Sequence, residues 1–341
     1  MKRLEILLLT ISLLVLTLTG CGNENKITKQ KPLVVMITVA SQMGDEGIND
    51  AAWAGCEEAS DEEGVDIRCL ESANKQELAS NLISAGNDDA KVAVIVGNPG
   101  DEAIKKAAKK YPDTKYLVLE SAVSGEDNLG SISFHEEQTG FLAGVAAATT
   151  TKTNTVGFLG REGNIVSEKY RSGFTAGVKT VDSDIQVVFR TVAAKDSGSR
   201  DKGAAAKAKA LHKKGADVIM HSTGAGGKDV IKAAKKEGYM VIGTDVDQSG
   251  LDSNSVLCSA VKPVKNVVEK IIGQGVDGNF KENPMEISLS DEGLKLKDNA
   301  GNLSENAQKQ IEKWQKAIED GKVTVPSTQK QLAQYQSPEI Q

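Results

Sequence analysis

"AIKKAAKKYPDTKYLVLES" (103–121) has a counterpart later in the chain, "VIKAAKKEGYMVIGTD" (230–245). Both run helix, turn and buried strand, and both end in an acid, Glu120 in the first and Asp245 in the second. In the first segment Ile104, Ala107, Ala108 and Tyr111 fall on one helical stripe, which leaves the lysines as a solvated face. Short Ala/Lys helices resemble one another by chance, so the match takes its weight from the strands around it.

Ten segments read as strands. "LVVMITVA" (33–40), "VDIRCL" (65–70), "KVAVIVG" (91–97), "KYLVLE" (115–120) and "LGSISF" (129–134) come first. "NTVGFLG" (154–160), "IQVVFRTV" (185–192), "ADVIMHS" (216–222), "YMVIGTD" (239–245) and "SVLCSAV" (255–261) follow. Most are near-continuously apolar, as parallel strands covered on both faces are. Alternation with helical patterns predicts an α/β chain with parallel sheets. Ten strands in one open sheet would be unusual, and the repeat divides them into two similar lobes. The reading assigns 33–148 plus about 262–282 to the first lobe and 149–261 plus about 283–326 to the second, with 327–341 as a flexible tail. "NPMEISLSDEGLKL" (283–296) reads as a β-pair, and "SENAQKQIEKWQKAIEDGKVTVP" (304–326) as an amphipathic helix capped by Ser304 and ended by Gly321.

The first residues, "MKRLEILLLTISLLVLTLTGC", place two early basic residues before an apolar stretch that ends in Leu18-Thr19-Gly20-Cys21. That is the layout of a secretory signal. The polar "GNENKITKQKP" (22–32) reads as a tether. No later apolar run is long enough to span a bilayer. With 41 basic against 47 acidic residues and 4% aromatics, nothing favours a nucleic-acid partner. Cys56, Cys69 and Cys258 have no metal-site spacing, and no disulfide framework is expected; a Cys56–Cys69 bridge is disfavoured. His135, His212 and His221 show no ligand spacing, and neither G-x-x-x-x-G-K-[ST] nor G-x-G-x-x-G occurs in context. No metal or cofactor is predicted.

In open α/β sheets ligands bind beyond the carboxyl ends of the strands. Two lobes facing each other through those ends would enclose a cleft lined by Asp45, Asn49, Asn98, Glu120, Arg161, Gly224, Asp245, Asp247 and Lys262. Asp45 and Asn49 stand where a helix opens, so each can cap that helix or hold a ligand. An acid ending a buried strand, as Asp245 does, is costly unless paired.

"GDEGINDAAWAG" (44–55), "SISFHEEQTGFLAGVAA" (131–147), "GFLGREGNIVSEKYRSGFTAGVK" (157–179), "GADVIMHSTGAGGKDVIKAAK" (215–235), "IGTDVDQ" (242–248), "LCSAVK" (257–262) and "IEDGKVTVP" (318–326) together resemble the basic membrane protein family of lipoproteins. That family's best-understood branch consists of purine-nucleoside receptors feeding ABC importers. The resemblance implies a two-lobed type I periplasmic-binding fold. It also implies a lipobox with cleavage before Cys21 and acylation of its thiol, and hence a lipid-anchored extracytoplasmic protein with permease and ATPase partners. It places Asp45, Ile48, Asn49, Glu120, Gly224, Asp245 and Lys262 at the ligand. Asp245 and Lys262 would hold a ribose, Glu120 would face the base, and Asp201, Asp247 and Gln248 would be structural.

Two departures bear on the cargo. The branch stacks its purine between two aromatic rings; here Ile48 occupies the first place, and "AAKDSGSRDKG" (193–203), the segment of the second, has no aromatic residue. Trp53, Phe134 and Tyr170 are the candidate substitutes. The expected function is capture of a nucleoside by hinge closure. The alternatives are a pentose or other small polar ligand, or a surface or sensor lipoprotein without transport. A glycosidic hydrolase would need two acids near a ribose and is the least favoured reading.

Overall fold

The computed structural model describes residues 31–39, 42–193, 203–291 and 293–339. The expected signal segment with Cys21, most of the tether, and most of the 193–203 segment with Asp201 lie outside the described residues.

The first half contributes β1 (Leu33–Thr38), α1 (Ile48–Glu63), β2 (Asp66–Leu70), α2 (Lys75–Asn87), β3 (Val92–Val96), α3 (Asp101–Lys110), β4 (Lys115–Leu119) and β5 (Leu129–Phe134). Next come α4 (Glu136–Thr150), β6 (Thr155–Arg161), α5 (Ile165–Val181), β7 (Gln186–Val192), α6 (Ala204–His212), β8 (Val218–His221), α7 (Gly227–Glu237), β9 (Met240–Asp245) and β10 (Val256–Val261). The chain then forms α8 (Val264–Val276), β11 (Met285–Ile287), β12 (Lys295–Lys297), α9 (Glu305–Glu319) and α10 (Gln329–Leu332).

Two six-stranded sheets result, ordered β11-β5-β4-β3-β1-β2 and β12-β10-β9-β8-β6-β7. Every pairing is parallel except β10 with β12. The continuous apolar strands are explained by cover on both faces. In β1, Val34 and Met36 enter one core cluster while Val35 and Ile37 enter the other. The second sheet repeats this, with Val218 and Met220 on one side of β8 and Ile219 on the other. The two sheets thus have matching orders, and β4 and β9, the strands of the internal repeat, hold equivalent places.

Two differences from the sequence reading concern where the chain changes lobe, and a third concerns the C-terminal segment. Helix α4 packs against α5, α9 and β10, so the first crossing falls at Phe134–Glu136, well before residue 148. The supposed β-pair is split: β11 extends the first sheet beside β5, while β12 joins β10 in the second. The crossings are therefore at Phe134–Glu136, at Lys262–Val264 and between β11 and β12. The segment read as a flexible tail is partly packed: α10 carries a Thr328–Gln331 capping box, Gln329 donates to Ser172 at 2.8 Å, and the Tyr335 ring meets Phe141 edge-on at 6.5 Å.

The α4–α5 contact is close because both helices present glycines. A Cβ on Gly173 would lie 1.9 Å from the Glu137 carbonyl oxygen, one on Gly177 2.0 Å from that of Phe141, and one on Gly144 2.2 Å from that of Phe174. No side chain fits between the backbones. Gly177→Ala tests this with a definite sign. Helix propensity alone would stabilise the variant by about 1 kcal/mol, whereas overpacking costs about 1–3 kcal/mol. The expected net result is a urea midpoint below that of the unaltered chain; a raised midpoint would show that the backbones are free to separate.

Candidate functional site

The carboxyl ends of both sheets converge on one side chain. Lys262 follows β10 directly, and its side chain is 0% exposed. Its Nζ lies 2.7 Å from Glu120 Oε1, 3.0 Å from Asp245 Oδ1 and 3.1 Å from Glu136 Oε1. The rings of Phe134 and Tyr170 flank it at 5.3 and 5.5 Å. Glu120 ends the β4 segment and Asp245 ends β9, and both adopt left-handed backbone, with φ of 59° and 71°. Such a conformation costs an ordinary residue free energy. Its occurrence at both equivalent strand ends turns each carboxylate back toward the lysine.

Burial by itself would push the Lys262 ammonium down, but Asp245, Glu120 and Glu136 outweigh it and hold the pKa well above the usual lysine value. Burial pushes the Glu120 carboxyl up, against the pull of Lys262, and the charges of Asp245 and Glu136 add to the rise. Lys169, from α5, supplies a second cation: its Nζ donates to the Phe134 carbonyl at 2.6 Å and meets Glu136 Oε2 at 3.1 Å.

Beside this cluster a cavity of about 400 Å³ opens between the lobes, within the range of small-molecule sites, roughly 300–1,000 Å³. Glu120, Ser121 and Phe134 line it from the first sheet, and Ile165, Val166 and Lys169 from α5. Buried polar atoms without a hydrogen-bond partner among the described residues include Thr38 Oγ1 and Arg161 Nε at the ends of β1 and β6, and the Tyr170 hydroxyl on α5.

The expected site residues divide into two groups. Glu120 lines the cavity, and Asp245 and Lys262 stand behind it. Asp45 instead satisfies the opening of α1, accepting from the N–H groups of Gly47 at 2.8 Å, Asn49 at 3.3 Å and Asp50 at 3.4 Å. Asn49 is buried and donates to the Gln42 carbonyl at 3.2 Å. Ile48 packs against the core of the first lobe, and Gly224 begins a 3-10 turn (Gly224–Gly226) ahead of α7, with φ 56°. Direct contacts bridge the lobes here: Lys228 Nζ donates to the Gly44 carbonyl at 2.6 Å, and Gln248 Nε2 to that of Glu46 at 3.0 Å. Gln248 is held in turn by His221 at 2.8 Å, so it ties the lobes together as well as shaping its loop. Asp247 turns away to accept from Ser249 N at 3.0 Å and from Asn299. Asn98 lines the cavity while accepting from Gly100 N at 2.8 Å.

Sequence reasoning missed Glu136 and Lys169. Adjacent acids in a first helical turn read as partners of the helix dipole, and a lone lysine on an amphipathic helix reads as solvated. Cys56, Cys69 and Cys258 are free thiols. Among the described residues no helix is long and apolar enough to cross a membrane, and no cluster of ligating side chains could hold a metal ion.

Two largely parallel sheets with a cavity between their carboxyl ends define a two-lobed solute-binding fold. A crystal structure of an ABC transporter solute-binding protein from Aeropyrum pernix K1 shares it, with a TM-score of 0.79 at 21% identity over 89% of this chain and 96% of that one. Residues 32–329 match the family model for PnrA-like ABC transporter substrate-binding proteins, and the chain belongs to that family. It is 30% identical to the ABC transporter nucleoside-binding protein BmpA of Lactococcus lactis, over 96% of this chain and all of that protein. It is 28% identical to basic membrane protein A of Borreliella burgdorferi, over 77% of each. The chain is thus an ABC transporter substrate-binding protein and not an enzyme.

Two substitutions test the electrostatics. Lys262→Met leaves three carboxylates around an apolar side chain and should cost about 3–5 kcal/mol at pH 7. Without the lysine, the rise that burial gives the Glu120 carboxyl loses its opposing charge, so the folded state gains protons as pH falls. The variant's deficit in melting temperature should shrink between pH 8 and pH 5; a constant deficit would mean the lysine acts by packing alone. For Asp45, burial and then the charge of Asp50 raise the carboxyl from 3.8 to about 6, against its backbone hydrogen bonds. Stability from this group is full below pH 3.8 and lost as pH rises through about 6, a swing of about 3 kcal/mol. Asp45→Asn removes that titration. The unaltered chain should lead the variant most clearly near pH 4 and lose its advantage by pH 7.5 in parallel thermal melts.

Proposed function

We propose that the chain is a lipid-anchored receptor on the extracytoplasmic face of a membrane. It captures a small ribosyl ligand, a nucleoside first, and delivers it to an ABC permease and its ATPase. Cys21 is the proposed acylation site, and two acyl chains suffice for stable anchoring where one is marginal. The three crossings between lobes serve as the hinge.

The observation that carries this reading is the division of the cavity into a charged floor and a less polar wall. Glu120 and Glu136 sit at the floor, with Asp245 and Lys262 behind them, while Phe134, Ile165 and Val166 form the wall. Carboxylates accept from sugar hydroxyls and an ammonium donates to them; a ring and two aliphatic side chains cover a flat base. We assign ligand contact to Glu120, Asp245 and Lys262, joined by Phe134 and Lys169. Asp45, Ile48, Asn49 and Gly224 do not line this cavity, and ligand contact through them would require the lobes to close. The nucleoside named for the Lactococcus relative supports this choice.

Ile48 favours a second reading, a pentose or similar polyol. Each stacking contact to a base contributes about 1–3 kcal/mol, and an aliphatic residue at that place removes the advantage of a base over a bare sugar. Tryptophan-fluorescence melting of the full chain in detergent, with nucleosides, free bases, ribose and other pentoses, separates the two. A ligand at a hundredfold over its Kd stabilises by about 2.7 kcal/mol, a shift of several degrees. Nucleosides should shift the melt most; a shift with pentoses alone would select the second reading, and silence across the panel would overturn both. Asp245→Ala should abolish the shift and leave the unliganded melt near its original place, because Glu120 and Glu136 still face Lys262.

A further inference from the structure

Tyr170 carries the polar atom at the charge cluster that no contact uses. It stands on α5 directly after Lys169, and none of it is exposed. Its ring packs in the second-lobe core, yet its hydroxyl has no hydrogen-bond partner among the described residues. The ring lies 5.5 Å from Lys262 Nζ. Burial raises the phenol well above its ordinary pKa, so it keeps its proton; among charges, Lys262 acts on it most strongly, followed by Asp245, Glu136 and Glu120.

A buried hydroxyl left unpaired forfeits its hydration without return. Phenylalanine would fill almost the same volume without that penalty. Lys262 donates to Glu120 at 2.7 Å and pairs in charge with Asp245 and Glu136, while the Tyr170 hydroxyl meets no partner among the described residues. A ligand hydroxyl lying against Lys262 and Asp245 would give it one.

We propose that Tyr170 is a specificity-determining residue of the ligand site: its hydroxyl bonds to a ligand hydroxyl held at Lys262 and Asp245, and so selects ligands bearing that group over their deoxy analogues. The proposal rests on the ligand-site reading above. A site built to hydrogen-bond a substrate hydroxyl discriminates strongly against the analogue that lacks it, and the phenol both donates and accepts.

The test is Tyr170→Phe in the full chain, studied by tryptophan-fluorescence melting and by calorimetric titration. Probes are ribose, adenosine, guanosine and uridine, followed by the 2′-, 3′- and 5′-deoxy forms of whichever binds. Without ligand the variant should melt at the same temperature or a few degrees higher, because an unpaired group has been removed. Its affinity for the hydroxylated ligand should fall about tenfold, while one deoxy analogue binds both proteins equally. The proposal is overturned if the variant binds the whole series as the unaltered chain does. It is also overturned if the unliganded variant melts several degrees lower, since the hydroxyl would then be at work inside the protein. If no probe shifts even the unaltered chain, the ribosyl reading fails separately. Hexoses, polyols and amino acids are then run on both proteins, and a ligand with equal affinity for the two rejects the role of Tyr170.

Discussion

A fully buried ammonium is the constraint around which the two lobes are arranged. An isolated lysine charge in a protein interior costs several kcal/mol, and Lys262 is tolerated because three carboxylates from three elements meet it within 3.1 Å. Those elements cannot be neighbours in one sheet. Glu120 comes from the end of the β4 segment, Asp245 from the end of β9, and Glu136 from the first turn of α4. Satisfying Lys262 therefore requires the sheets to face each other through their carboxyl ends. The positive φ at Glu120 and Asp245 is the local cost of aiming both acids at the same point.

The crossings sit beside this cluster. Phe134 and Glu136 flank the first, and Lys262 and Val264 the second, so residues of the charge cluster stand at the crossings themselves. Helix α4 enters the second lobe at Glu136 and is locked to α5 by the glycines that bring the two backbones into contact. Lys169 on α5 then reaches back to the Phe134 carbonyl. The α4–α5 pair thereby ties the second lobe to the floor of the cavity. In the proposed closure, hinge and ligand contact would share one set of residues.

Much of this was legible. The strands declared themselves because sheets covered on both faces need apolar side chains in both directions. The repeat ending in Glu120 and Asp245 marked the two strand ends that converge, and Ser304 and Gly321 bracket α9 as their side-chain chemistry predicts: Ser304 accepts from Ala307 N and Gly321 takes φ 69°. The allegiance of α4 was not legible. Nearly every one of its residues is buried, so it has no polar face to show which way it packs. Strands of three residues, such as β11 and β12, carry too little pattern to reveal which sheet they extend. The two roles open to Asp45 differ only in where its oxygens point, and the structure spends them on the start of α1. Ile48 stood out by its departure from the stacking pattern, although its own packing belongs to the first-lobe core.

The charge balance of the cavity narrows what it can receive. Asp101, Glu120, Glu136 and Glu286 line it against the single lysine Lys169, and Lys262 behind them is already surrounded by acids. A phosphate placed there would meet carboxylates at close range in a medium that screens them poorly, and among the described lining residues no unpaired cation would offset the repulsion. A neutral polyol needs no such compensation: its hydroxyls donate to oxygens that already carry charge, and it leaves the pairing of Lys262 intact. On the function proposed above, the ion cage that lets the protein bury a lysine suits an uncharged, hydroxyl-rich solute. Under the proposed assignment, discrimination among such solutes would fall to the neutral groups nearby, the Phe134 ring, the aliphatic wall of Ile165 and Val166, and the hydroxyl of Tyr170.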